Sequence, residues 1–169
     1  MFKKKEEILL GQKVKCVVTN FEGVVTSISQ YIHGTRRIGI QPPVGEDGKI
    51  PEGQDIDEPQ LVITNLKQVI KVKMPKPMIL IGQEVVDPVT GFTGIAIGRC
   101  DFINGCSRVG VQKKYNEAID KEFHTGTWFH EPQLKIVEKV IAKDIAPTAA
   151  SRKTGGPSMM KSYKNERVK

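Results

Sequence analysis

The chain contains an internal duplication. Residues 10–41 align without a gap onto residues 81–112, and 12 of these 32 positions are identical. The match resumes after a loop, where "DEPQLVI" at 57–63 corresponds to "HEPQLKI" at 130–136. Self-similarity of this kind indicates two copies of one structural unit. A chain of 169 residues can form two small hydrophobic cores, so we expect two small domains of the same fold.

Each copy is predicted to be β structure. "EGVVTSIS" in the first copy and "SRVGVQ" in the second alternate apolar and polar residues, as half-buried strands do. Asn104-Gly105 separates two such runs and predicts a type I′ hairpin turn, which needs positive φ at both central residues. We therefore predict an all-β fold of two tandem small SH3-like β-barrels, followed by an extended basic C-terminal tail.

The stretch "TGFTGIAIG" at 90–98 resembles a glycine-rich phosphate loop in composition. Such a loop opens a helix whose N-terminus faces the anion, whereas apolar alternation typical of a strand follows here. We therefore interpret it as a turn that enters a strand. Phe21 and Phe92 are expected in the two cores, and Gly23 and Gly94 at positions of close backbone approach or unusual φ.

The formal net charge of +7 is unevenly distributed along the chain. Both repeats contain slightly more acidic than basic residues, and the excess positive charge lies in the connector and the tail. The predicted division is an N-terminal arm over 1–9, a first barrel over 10–64, a basic proline-containing connector over 65–80, a second barrel over 81–141 and a basic tail over 142–169.

The tail is the first candidate binding segment. Its basic side chains could contact a partner protein or neutralise phosphates of nucleic acid without sequence preference. Sequence-specific recognition of nucleic acid is not expected, because only 6% of the residues are aromatic and both repeats are acidic. The candidate residues are Arg152, Lys153, Lys161, Lys164, Arg167 and Lys169.

The second candidate is a pair of residues that both repeats share. Arg37 and Arg108 occupy equivalent positions, and Glu58 and Glu131 both precede the closing "PQL". The arginines could form a partner contact that is repeated twice, with the glutamates nearby. They could equally be solvent-facing side chains that pair with a local carboxylate.

Enzymatic chemistry is not predicted. Cys100, Cys106, His124 and His130 lie in the second copy, but their spacing does not match a zinc site, and no base is fixed beside a thiol. We therefore expect no catalytic residue, no metal and no cofactor. The three cysteines are expected to be reduced thiols, and a membrane partner is not expected, since no apolar run is long enough to span a bilayer.

The shared pattern, "GQ.V…TGF.G" followed by "NG" and "EPQL", resembles that of small duplicated SH3-like barrel proteins encoded by tailed bacteriophages. It covers 10–63 and 81–136, and the first copy departs from it at Asn20, His33 and Thr35. The resemblance implies a non-enzymatic virion protein, made in the host cytoplasm, that decorates the capsid or lies at the head–tail junction. Its partners would be other virion proteins or copies of itself. The alternative is a soluble phage accessory module that captures a host protein, nucleotide or nucleic acid.

Overall fold

The computed structural model describes residues 6–116 and 125–138, and these residues form an all-β protein. The first repeat contains β1 (Lys13–Cys16), β2 (Glu22–Tyr31), β3 (Arg37–Gln41), β4 (Gln54–Asp57) and β5 (Leu61–Asn65). The second contains β6 (Glu84–Val86), β7 (Thr93–Phe102), β8 (Ser107–Gln112), β9 (Thr127–His130) and β10 (Lys135–Glu138). In both repeats a short 3₁₀ helix, Glu58–Gln60 or Glu131–Gln133, precedes the last strand. The duplication is thus a repetition of structure as well as of sequence.

The strands form one ten-stranded sheet rather than two closed barrels. Within the first repeat, β5 pairs with β1, β1 with β2, β2 with β3, and β3 with β4, all antiparallel. The second repeat repeats this order from β10 to β9. Among the described residues no ladder joins β4 to β5 or β9 to β10, so barrel closure is not confirmed.

The repeats are joined through their two longest strands. The C-terminal half of β2 pairs antiparallel with the C-terminal half of β7, and Ser29 lies opposite Cys100. These two residues are equivalent in the duplication, so a pseudo-twofold axis passes between them. The backbone follows this symmetry: Ile32 N–H donates to the Ile97 carbonyl at 2.8 Å, and Ile103 N–H donates to the Thr26 carbonyl at 2.8 Å.

Each repeat has its own hydrophobic core. Val14, Ile38 and Leu61 lie in the first, and Val85, Val109 and Val111 lie in the second. The cores extend beyond the predicted boundaries, because Ile8 of the arm is buried in the first and Ile79 of the connector is buried in the second. The C-terminal end of the connector is therefore packed against the second repeat, and the arm before β1 against the first.

The predictions about the aromatic and glycine positions of the first turn agree with the structure. Phe21 and Phe92 pack against the first and second cores. A Cβ on Gly23 would lie 2.4 Å from the Gln41 carbonyl oxygen, and Gly94 is equally confined, so both glycines mark close approaches of the backbone.

The hairpin at Asn104-Gly105 is present, but the predicted type I′ turn is wrong. Gly105 has a φ of 82°, whereas Asn104 is not in the positive-φ region. The Asn104 side chain instead accepts a hydrogen bond from the Cys106 N–H at 3.0 Å. A three-residue loop that ends in one left-handed glycine therefore replaces the two-residue turn.

Candidate functional site

The candidate interaction site is the face of six adjacent strands that points away from the two cores; Arg37 and Arg108 are exposed on it, whereas Cys100 at its centre is buried. Because β2 and β7 pair, the strands β4, β3, β2, β7, β8 and β9 are neighbours in that order. One row of directly opposed residues crosses all six strands and is centred on the pseudo-twofold axis. It consists of Asp57, Arg37, Ser29, Cys100, Arg108 and His130. We call the surface that carries this row the central face.

The two predicted arginines lie on the central face, one on each side of the axis. Arg37 Nε is 3.3 Å from Asp57 Oδ1, and both side chains are about half exposed. The Arg108 guanidinium instead lies 5.8 Å from the centre of the Phe102 ring. The shared arginines thus occupy equivalent places, but one pairs with a carboxylate and the other with an aromatic ring.

Trp128 gives the second half of the central face an apolar side. Its ring covers Gly110, where an added Cβ would come within 3.2 Å of the ring. It also meets the Tyr31 ring edge to face, with the centroids 6.1 Å apart, and is 39% exposed. The equivalent place in the first repeat is held by Asp55 above Gly39. The face is therefore acidic at one end and basic and aromatic at the other.

The shared glutamates do not join the arginines on the central face. Glu131 is 2% exposed, and its Oε1 accepts hydrogen bonds from the backbone N–H groups of Met78 and Ile79 at 2.9 and 3.0 Å. It also pairs with Arg99. Glu58 pairs with Arg36 at 3.0 Å. The glutamates thus fix the interior of each repeat, and Glu131 ties the connector to the second core.

Arg36 and Arg99 are the ion-pair partners of the shared glutamates, and sequence comparison of the repeats does not reveal them. Each binds the shared glutamate of its own repeat, yet they stand at different positions of the duplicated pattern. Position 36 corresponds to Ser107, and position 99 corresponds to Ile28. Comparison of equivalent residues points to Arg37 and Arg108, because this is the aligned pair in which both copies have an arginine.

Asp87 occupies a second buried polar site, in the turn after β6. Its oxygens accept hydrogen bonds from the Val89 and Thr90 N–H groups, from the Thr90 hydroxyl at 2.6 Å and from the Gln133 amide at 3.0 Å. The Thr90 hydroxyl is the main cause that lowers the pKa of the Asp87 carboxyl. Cys16 holds the equivalent place in the first repeat, where hydrogen bonding to Thr19 lowers the pKa of its thiol.

We expect stability to fall as the pH is lowered through the folded-state pKa of Asp87. A carboxyl whose pKa is lower in the folded than in the unfolded chain stabilises the fold only while it is ionised. The loss therefore occurs below a pH of about 4, the ordinary range of aspartate. Urea denaturation of the wild type and of Asp87→Asn at a series of pH values measures this effect. The difference between the two free energies of unfolding should shrink on acidification. A constant difference for Asp87→Asn would contradict the assignment.

Residues 6–116 and 125–138 contain no group of three or more His, Cys, Asp or Glu side chains that could hold a metal ion. Cys100 is buried, and its sulfur accepts a hydrogen bond from the Ser29 hydroxyl at 3.1 Å, whereas Cys106 is exposed. His124 lies outside the described residues.

No helix in the described part is long and apolar enough to cross a membrane.

The six basic tail candidates also lie outside the described residues, so the predicted site residues that the structure describes are Arg37, Arg108, Glu58 and Glu131. Comparison with known proteins gives no significant match to a protein-family model, to a curated protein or to a solved structure. The functional inference below therefore depends on the sequence pattern and on the geometry of the central face.

Proposed function

We propose that the chain is a non-enzymatic structural or assembly protein of a tailed-phage virion, and that it binds neighbouring subunits through its central face. The observation that carries this proposal is the face itself. It is a continuous surface of six strands with exposed arginines, a half-exposed tryptophan and a pseudo-twofold axis at its centre. Arginine and tryptophan are the residue types that most often dominate the energetics of protein–protein interfaces.

The internal symmetry supports a place in an assembly. Two related surfaces in one rigid chain suit a location between two similar neighbours, as occurs in symmetric and quasi-symmetric particles. The connector supports rigidity, because Val72 and Met74 pack against the first core and Ile79 against the second. The SH3-like form of each repeat belongs to the same proposal: five antiparallel strands with a 3₁₀ helix before the last strand are compatible with a small barrel that is open at one seam.

Quantitative mass spectrometry of gradient-purified particles of the source phage tests the proposal. We expect the protein in a fixed number of copies per particle. Its copy number would separate a capsid decoration protein from a component of a head–tail ring. Recovery in the soluble host fraction and absence from particles would overturn the proposal and favour the soluble accessory module.

Variants of the central face test the surface separately. Arg108→Ala combined with Trp128→Ala should reduce incorporation into particles by about tenfold or more, since each hot-spot residue contributes about 1 kcal/mol or more to binding. Val44→Ala combined with Lys49→Ala, in the exposed β3–β4 loop, is the matched control and should not change incorporation. Equal incorporation of both variants would assign binding to another surface.

A further inference from the structure

The six strands of the central face end in two short edge strands, β4 and β9. Within residues 6–116 and 125–138, β4 pairs with β3 alone and β9 pairs with β8 alone. Every pairing from β4 across to β9 is antiparallel, and the two edge strands run in opposite directions. A second copy translated along the sheet would therefore present its β4 antiparallel to β9 of the first, with both central faces on the same side.

Main-chain groups of β4 point away from the sheet at alternate residues. Glu58 N–H donates to the Arg36 carbonyl at 2.9 Å, which is the first bond beyond the β3–β4 ladder. Because hydrogen bonding alternates along an antiparallel ladder, the N–H and C=O groups of Asp55 and Asp57 are directed outward.

The edge of β9 has the same arrangement. Arg108 lies opposite His130 as Arg37 lies opposite Asp57, so the two ladders are equivalent. The N–H and C=O groups of Trp128 and His130 are therefore directed outward as well. Each edge thus offers two residues for pairing with another strand.

The outward groups fix the register in which β9 can pair with β4 of a second copy. Antiparallel pairing sets His130 opposite Asp55 of the second copy and Trp128 opposite its Asp57. Each of these pairs can exchange both of its N–H···O=C hydrogen bonds. The side chains of all four residues then lie on the continued central face.

The two edges are complementary in charge. β4 carries the carboxylates of Asp55 and Asp57, whereas β9, with the sequence TWFH, carries none. Asp57 pairs with Arg37 of its own chain, so the carboxylate of β4 without an ion pair in the described part is that of Asp55, which is exposed. Next to β9, the exposed Arg108 guanidinium contacts the Phe102 ring and, among the described residues, no carboxylate.

Pairing of β9 with β4 would bring these two charges together. Asp55 of the second copy would lie two strands from Arg108, with His130 between them, at a Cα separation of about 10 Å. Both side chains project from the central face, and an extended arginine side chain covers most of that distance. Pairing of two β4 edges would instead set Asp55 opposite Asp57, and like charges directly opposite each other destabilise a sheet.

We propose that copies of this chain associate edge to edge, β9 of one copy with β4 of the next, and so continue the central face from molecule to molecule. Such a contact is heterologous, and heterologous contacts close into a ring or extend into a filament. The two repeats already meet through strand edges, at the β2–β7 junction. Association in solution does not depend on the proposed place in a virion.

Sedimentation velocity of the full chain over a range of concentrations tests the association. We expect assemblies larger than a dimer to accumulate as the concentration rises. The fluorescence of Trp128, the single tryptophan of the chain, should change in parallel, because its ring lies at the paired edge. A protein that stays monomeric at millimolar concentration would overturn the proposal. An assembly that stops at a dimer would also overturn it and would indicate pairing of two β9 edges.

Charge reversal identifies the two edges. Asp55→Arg and Arg108→Asp each place like charges at the contact, and each should raise the dissociation constant by about tenfold or more. An equimolar mixture of the two variants should assemble again, because every contact in an alternating assembly then joins opposite charges. Glu46→Arg makes the same charge change at an exposed position of the β3–β4 loop, and this matched control should assemble like the wild type.

Wild-type association of Asp55→Arg alone, or failure of the mixture to assemble, would overturn the assignment of the two edges. Unchanged melting temperatures show that the variants are folded. The particle measurement described above is independent of this result: a protein that is monomeric in solution but present in purified particles would overturn the edge pairing and leave the virion proposal standing.

Discussion

Replacement of Glu131 by alanine is expected to destabilise the second repeat by about 3 kcal/mol or more, since it removes one partner of a buried ion pair and the acceptor of two backbone N–H groups, and leaves Arg99 paired with Asp101 alone. Glu131 is 2% exposed and accepts hydrogen bonds from Arg99 and from the Met78 and Ile79 backbone. The substitution leaves two N–H groups without this acceptor and releases the connector from the second core. It should lower the melting temperature by about 10 °C, given the enthalpy of a domain of this size.

Glu58→Ala is the matched control, because Glu58 is the equivalent residue of the first repeat. Its side chain is 21% exposed, and its ion-pair partner Arg36 also contacts Glu7. We expect a loss of about 1 kcal/mol, as for a partly exposed ion pair. Calorimetric melting of both variants measures the difference. Equal losses in the two variants would show that Glu131 does not anchor the connector in the way described.

Ser29→Cys is expected to form an intrachain disulfide with Cys100 and to stabilise the protein by up to about 4 kcal/mol, the loop-closure value for a loop of this length. Ser29 and Cys100 lie opposite each other between the hydrogen-bonded pairs of the β2–β7 ladder. Residues in such non-hydrogen-bonded pairs have Cα atoms about 4.5 Å apart, within the range that a disulfide spans.

With dissolved oxygen as the oxidant that accepts the two electrons and two protons, the cross-link should form slowly at neutral pH and faster as the pH rises. Burial raises the pKa of the Cys100 thiol, and the thiolate is the reacting species. Intact-mass measurement should show the loss of two hydrogens, and the melting temperature should fall on addition of a reductant. Ser27→Cys, which lies opposite Phe102, is the control and should show neither effect. Failure of Ser29→Cys to oxidise at alkaline pH would argue against the observed register of the two repeats.

Local sequence patterns predicted the repeats, the strand content and the turns at Phe21 and Phe92. These features depend on period-two alternation and on glycine positions, which a single chain displays directly. Asn20 illustrates the limit of such patterns: it adopts a φ of 61° where Gly91, its equivalent, adopts 75°. Asparagine adopts the left-handed region more readily than most residues, so the same turn forms at Asn20 without a glycine.

The pairing of β2 with β7 was not predicted, although a signal exists. The alternation in β2 runs on to Tyr31, well beyond the residues that pair with β1. Such a long strand has a free half that needs another partner. The ion pairs of Glu58 and Glu131 could not be inferred in this way, because their arginines stand at unrelated positions and meet the glutamates only in the folded chain.

The β2–β7 junction also has a consequence for aggregation. A strand with unpaired N–H and C=O groups is a template for pairing with other chains, and proteins protect such edges. Here each repeat covers the exposed edge of the other along five residue pairs. A half-length fragment would therefore carry an uncovered edge. Each repeat covers an edge strand of the other repeat. The two halves are therefore expected to remain soluble only when they are produced as one chain.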